Sequence, residues 1–217
     1  ASQLVGSSGH VLGADISDTL LNLARSKYSK INNLEFNLCD VQNHEFQSDC
    51  FDKIISRFGV MFFDDPVAAF ANIRPLLKSD GSLNFVCWTE IMQNEFIIDG
   101  AEIITKHTQI NLPPVTREPG PFAFSEKSYV EEILTASGFK NIKIDTVHTT
   151  ISTKDSLQQA AHILMNIGPR AKMLSGTDVS DETMLQIKNE IEELCKSRKI
   201  GNEITHKACL NYVSAVS

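Results

Sequence analysis

Short apolar runs and helical spacings alternate along the first half of the chain. His10–Asp15 and Leu34–Leu38 read as strands, the second ending at Cys39-Asp40. Phe51–Ser56 and Ser82–Trp88 read as two more. Between the first two, Ser17-Asp18 caps a helix whose apolar face is Leu20, Leu21, Leu23 and Ala24. Pro66 opens another, with Val67, Phe70, Ile73 and Leu77 at helical spacing and Ser79-Asp80-Gly81 at its end. Strands that alternate with helices predict a parallel, doubly wound sheet.

The pattern then changes. A short helix spans Phe96–Lys106, followed by a loop containing Pro113-Pro114 and Glu118-Pro119-Gly120-Pro121. A helix from Ser125 to about Ser137 stops at Gly138. Phe139–Thr150 alternates as a strand, Ser156–Met165 and Asp181–Ser197 are helical, and Glu203–Ala215 is a final strand. The two late strands predict a sheet closed by an antiparallel pair. The expected architecture is one α/β domain over 1–217, with 91–135 as a helical lid on the acceptor side.

Composition narrows the partners. Net charge is −7, with 42% hydrophobic and 22% charged residues, an ordinary globular mix. Lys196-Ser197-Arg198-Lys199 is the densest basic patch and suits a helix C-terminus, so no nucleic-acid partner is expected. The five cysteines are scattered without a CxxC or a zinc spacing, which fits a reducing cytoplasm and no metal. Asp64-Asp65 before Pro66 reads as a helix cap. No apolar run reaches transmembrane length.

The chemistry lies at strand ends. In an open α/β sheet, ligands sit beyond the carboxyl ends of the strands. Asp15 ends its strand where a carboxylate can accept from both hydroxyls of a ribose, and Gly13 leaves room for close approach. Asp40-Val41 ends the next strand, where a carboxylate can accept from an adenine amino group and a backbone N–H can donate to the ring.

These residues carry a resemblance. Val11-Leu12-Gly13-Ala14-Asp15-Ile16-Ser17 resembles the second-strand motif of class I S-adenosylmethionine-dependent methyltransferases. Cys39-Asp40-Val41 is similar to their adenine-contacting motif, and Phe51–Phe63 to their fourth-strand segment. Leu76–Leu83 is similar to the L-K-P-G-G-x-L turn before the fifth strand, with Ser-Asp in place of Pro-Gly. Glu118–Phe124 and Gly168-Pro169-Arg170 resemble the small-molecule branch akin to the ubiquinone/menaquinone-biosynthesis enzymes.

The resemblance implies a Rossmann-like, mostly parallel sheet with an antiparallel last strand, S-adenosyl-L-methionine as cofactor and a small-molecule methyl acceptor. It places Asp15 on the ribose and Asp40 on the adenine, with Ile16 and Val41 beside them. Arg57 stands near the cofactor's methionine end, and Phe58 packs beside the cofactor. No catalytic base is assigned. Trp88 and Glu90 follow the last parallel strand, His107 lies in the lid helix, and Phe122 and Phe124 are candidates for an apolar acceptor pocket; each also reads as an ordinary packing or surface residue.

One expected part is absent. The family's first strand and its Gly-rich loop have no counterpart here; Ala1–Gly6 resembles the last turn of the helix that follows that loop. That strand is central, flanked by the family's second and fourth. Without it two rows of backbone groups lose a neighbour. The expectation is therefore of natural sequence upstream of Ala1. Direct pairing of the flanking strands, or pairing between chains, is the alternative; an exposed gap favours chain–chain contacts and leaves a homodimer open. Two other functions share the pattern: an NAD(P)-type oxidoreductase, which also places an acid after its second strand, and a non-catalytic methyltransferase-like scaffold.

Overall fold

The computed structural model describes residues 1–175 and 177–217. A short helix, α1 (Ser2–Val5), precedes β1 (Val11–Asp15), α2 (Asp18–Tyr28), β2 (Leu34–Leu38) and β3 (Phe51–Arg57). Then come α3 (Pro66–Ile73), β4 (Leu77–Trp88), α4 (Glu95–Ile98), α5 (Ala101–Thr108), α6 (Lys127–Ala136) and β5 (Lys140–Thr153). The chain closes with α7 (Leu157–Asn166), α8 (Pro169–Leu174), α9 (Asp181–Ser197), β6 (Lys199–Ile200) and β7 (Glu203–Val216).

Local chemistry starts the helices where the side chains demand. Ser17 Oγ accepts from Leu20 N–H at the head of α2, and Asp65 accepts from Ala68 N–H with Pro66 in the first turn of α3. Asp65 is thus a cap. Ser156 and Gln159 form a reciprocal capping box at α7.

Among the described residues the strands form two sheets. β1 and β2 pair in parallel, Asp15 opposite Leu38. The other sheet runs β3-β4-β7-β5, with β6 on the end of β7. β3 and β4 are parallel, and β7 runs antiparallel to β4, β5 and β6. This is a Rossmann-like mixed sheet with its reversed strand last in sequence, as expected. β1 pairs with β2 and β3 with β4, and these pairings do not join the two sheets.

Two cores result. The first lies on one face of the five-stranded sheet, under α3 and α6, where Phe70, Phe85, Leu83, Leu134 and Val213 are buried. Phe70 touches the rings of Phe63, Phe85, Phe124 and Phe139. The second lies among α5, α7, α8 and α9, with Ile104, Ala161, Ile187 and Ile191 at its centre and Ile204 of β7 at its margin. No helix among the described residues is long and apolar enough to cross a membrane.

Four sequence expectations are corrected. On α2 only Leu21 is buried, while Leu20 and Leu23 are 57% and 65% exposed. The helix from Pro66 stops at Ile73; Arg74–Leu76 forms a 3-10 turn around Pro75, and Leu77 already pairs with Phe51 in the sheet. Proline lacks the N–H that would continue the α-helix. Ser79-Asp80-Gly81 therefore lies in an irregular start to β4, where Gly81 is needed because a Cβ would come within 3.0 Å of the Phe51 carbonyl. The expected helix at Phe96–Lys106 is broken in two by Gly100, whose φ is +83°.

Candidate functional site

The carboxyl ends of β1, β2, β3 and β4 carry the candidate residues. Asp15 is half-buried, and its Oδ1 accepts from Ser17 N–H at 2.8 Å. That bond serves the turn into α2 and leaves Oδ2 for another donor. Cys39 N–H donates to the Asp15 carbonyl, so β2 hands its chain on to Asp40 directly beside β1. Asp40 is busier: Oδ1 accepts from Gln42 N–H at 3.0 Å and Oδ2 from Asn43 Nδ2 at 2.8 Å. Each oxygen keeps a second lone pair. Val41 packs against the sheet core, and its carbonyl accepts from Asn72 of α3. Ile16 is 72% exposed.

Gly13 has a local reason. A Cβ there would lie 2.9 Å from the Phe36 ring on β2. The glycine makes room for that ring, so its smallness is accounted for within the sheet.

At β3 the chain turns sharply. Phe58 has φ +58°, the left-handed region that side chains of its size rarely adopt. Such strain costs about 1–2 kcal/mol. Its N–H still donates to Val86 O at 3.1 Å, which extends the β3–β4 ladder by one bond. The turn lays the Phe58 ring on Trp88 at the end of β4, with centroids 4.1 Å apart and planes 11° from parallel. Phe96 of α4 also meets Trp88, with centroids 5.0 Å apart and planes tilted by 48°. Three aromatic rings from three elements thus form one wall beyond the strand ends. Arg57 is not part of it. It pairs with Val86 in the strand register, and its side chain is exposed.

The other candidates are dispersed. Glu90 is exposed. His107 Nε2 lies 2.7 Å from Glu190 Oε1, and Lys106 binds the same carboxylate at 2.9 Å, so the histidine joins α5 to α9. These two contacts hold the Glu190 carboxyl below its usual range, Lys106 contributing more than His107. Phe122 and Phe124 are buried, and Phe124 belongs to the aromatic sheet core. Burial pushes the Cys87 thiol up to about 12. It also raises that of Cys39, with Asp40 adding to the effect. Both are therefore protonated core groups.

Sequence reasoning gave no role to Phe96, Asp99 or Arg170, although Gly168-Pro169-Arg170 is one of the runs that carry the resemblance. Asp99 Oδ1 accepts from Arg198 Nη2 at 2.8 Å, and Oδ2 lies 2.9 Å from His206 Nδ1. Burial pushes the Asp99 carboxyl up, but the bonds and charges of His206 and Arg198 outweigh it and hold the group below the usual carboxylate range. A charged residue just before a glycine was the available signal, but its partners lie roughly a hundred residues away.

Residues 1–85 match the family described as a methyltransferase domain. A ubiquinone/menaquinone biosynthesis C-methyltransferase from Marinomonas is 35% identical over 85 residues, 38% of this chain and 34% of that one. A demethylmenaquinone methyltransferase from Staphylococcus haemolyticus is 23% identical over 155 residues, covering 66% of this chain and 63% of its own length. The chain thus spans about a third of the first relative and under two thirds of the second. Among solved structures, the YcgJ protein of Bacillus subtilis superposes with TM-score 0.57 at 16% identity, over 96% of this chain and 82% of its own. A phosphoethanolamine N-methyltransferase of Haemonchus contortus gives 0.51 at 18% identity, over 96% of this chain and 43% of its own. Fold and sequence agree: the chain has the class I methyltransferase fold, and its residues 1–85 are related in sequence to the small-molecule C-methyltransferases of quinone biosynthesis.

Proposed function

We propose that this protein transfers a methyl group from S-adenosyl-L-methionine to a small-molecule acceptor. The observation that carries the reading is the row of strand ends: Asp15 and Asp40 on neighbouring parallel strands, then the Phe58–Trp88 stack on the next two. A carboxylate oxygen left over at Asp15 suits the ribose diol. Asp40, braced by two hydrogen bonds, suits a fixed acceptor for the adenine amino group. Ile16 and Val41 supply apolar contact beside them.

When bound, the sulfonium supplies an activated methyl group for in-line displacement, and the protein's share is orientation and exclusion of water. The aromatic wall does that work on the acceptor side. Phe58 holds Trp88 from the strand end, and Phe96 holds it from the helical layer. The layer of α4, α5 and α7–α9 acts as the lid. Lid residues therefore come from both sides of α6, which itself packs in the sheet core. A strand laid between β1 and β3 would pair both open edges and bring a Gly-rich loop to the cofactor's amino-acid end. Arg57, at the end of β3, would then face that loop.

Titration calorimetry tests the reading. S-adenosylhomocysteine is expected to bind in preference to NAD, and Asp15→Ala to weaken it about 10–100-fold, the loss of a charge-assisted hydrogen bond. Preferential NAD binding would establish an oxidoreductase instead. Binding of neither would leave a scaffold.

A further inference from the structure

Arg170 is 1% exposed, so its guanidinium sits among helices away from water. Burying a cation costs several kcal/mol unless its donors are fully used. Here the N–H groups on Nε and Nη1, three of the five, are turned to carbonyls. Arg170 Nε donates to Leu164 O in the last turn of α7. Its Nη1 donates to Phe96 O, and to Ile97 O and Asp99 O at 3.0 Å each. These are carbonyls that a helix end leaves without partners, at the negative pole of its dipole. One side chain thus serves as a shared C-terminal cap for α4 and α7. Burial pushes the guanidinium down to about 10, with Asp99 and Cys195 opposing, so it stays charged at neutral pH.

The same turn is held by its carboxylates as well. Asp99 binds Arg198 at the end of α9 and His206 on β7. Glu95 faces Arg198 and Lys207. The segment Glu95–Gly100 is therefore gripped at its carbonyls by Arg170 and at its carboxylates by α9 and β7. That segment carries Phe96, whose own carbonyl is one of Arg170's acceptors and whose ring touches Trp88.

We propose that Arg170 is a positioning residue: it fixes the peptide of Phe96 and so sets the aromatic wall formed by Phe58, Trp88 and Phe96. The inference rests on the reading of that wall as the acceptor side of the site. It gives the helical layer a specific task, which is to hold one ring at one distance from the strand ends. Arginine suits it because Nε reaches Leu164 O while Nη1 reaches the carbonyls of Phe96, Ile97 and Asp99, whereas a lysine ammonium is a single point.

Trp88 is the chain's only tryptophan, so its fluorescence reports the wall without any need for turnover. Failure of this inference and failure of the methyl-transfer reading are then separate results. In Arg170→Lys the Trp88 emission is expected to shift to the red, toward that of Phe96→Leu, with far-UV circular dichroism unchanged. The double variant should show the emission of Phe96→Leu alone. Ile187→Val, at a fully buried site in the same helical core, is the control for loss of stability without a change in emission. An Arg170→Lys variant that melts earlier yet keeps wild-type emission overturns the proposal. If Arg170→Lys does not fold, Asp99→Asn loosens the other grip on the same turn. A smaller red shift in the folded variant supports the proposal, and unchanged emission overturns it.

Discussion

Within residues 1–58 the buried apolar side chains are Leu21 and Cys39, while every other apolar core residue falls between Val60 and Ala215. The poorly buried stretch is also the most recognisable. It carries Asp15 and Asp40, and it makes up most of the 1–85 match to the methyltransferase domain. The well-buried remainder carries the two cores and diverges in sequence. Family motifs record contacts with a shared ligand, and many apolar sequences fill a core equally well. A region can therefore be chemically legible and structurally thin at once.

Mutations that separate burial from chemistry sharpen this contrast. Phe70→Ala, at the centre of the aromatic cluster, is expected to cost about 3–5 kcal/mol in urea denaturation. Asp15→Ala should cost only about 1 kcal/mol in the same measurement, the bond to Ser17 N–H at the turn into α2, while cofactor binding falls as stated above. Acid gives a third, intermediate effect. The Asp99 carboxyl is held below its unfolded value, so its contribution is present above the ordinary carboxylate range and is lost as pH falls through the folded value. Wild-type stability should therefore fall more steeply below about pH 4 than that of Asp99→Asn. The smallest effect is expected at Leu23→Ala, within about 0.5 kcal/mol for so exposed a side chain. If Leu23→Ala instead matched Phe70→Ala, α2 would be covered in solution, and the contrast between the two regions would break.

The sequence revealed element order well because hydrophobic periodicity is local. Asp181–Ser197 and Leu34–Leu38 have the expected bounds. It pointed to Asp15 and Asp40 as candidates because a carboxylate at a strand end is a local sign as well, and both do stand at the carboxyl ends of β1 and β2. It failed where the reason lay across the fold. Periodicity identified the apolar face of α2 but could not say that Leu20 and Leu23 lack a covering layer. Gly13 read as room for a ligand because the Phe36 opposite it becomes visible only with the β1–β2 register. Phe58 and Trp88 were separate suggestions until a left-handed turn stacked them. Arg170 was hidden most deeply, since its carbonyl partners at Phe96, Ile97 and Asp99 lie more than seventy residues away. Pro75, by contrast, was a legible helix-breaker that the apolar spacing through Leu77 overrode.

β7 links the two cores mechanically. Its residues Leu210–Val216 lie between β4 and β5, but Ile204–Cys209 run on past the end of β4 beside β5, with β6 against the tip. The free half is a narrow ribbon, and ribbons twist more than wide sheets. It carries His206, on which Asp99 closes, about 13 Å of strand beyond Leu210, the partner of Trp88, at the usual rise per residue. The helical layer and the strand ends are therefore joined by one continuous strand, from His206 to the Trp88–Leu210 pair, with no loop between them.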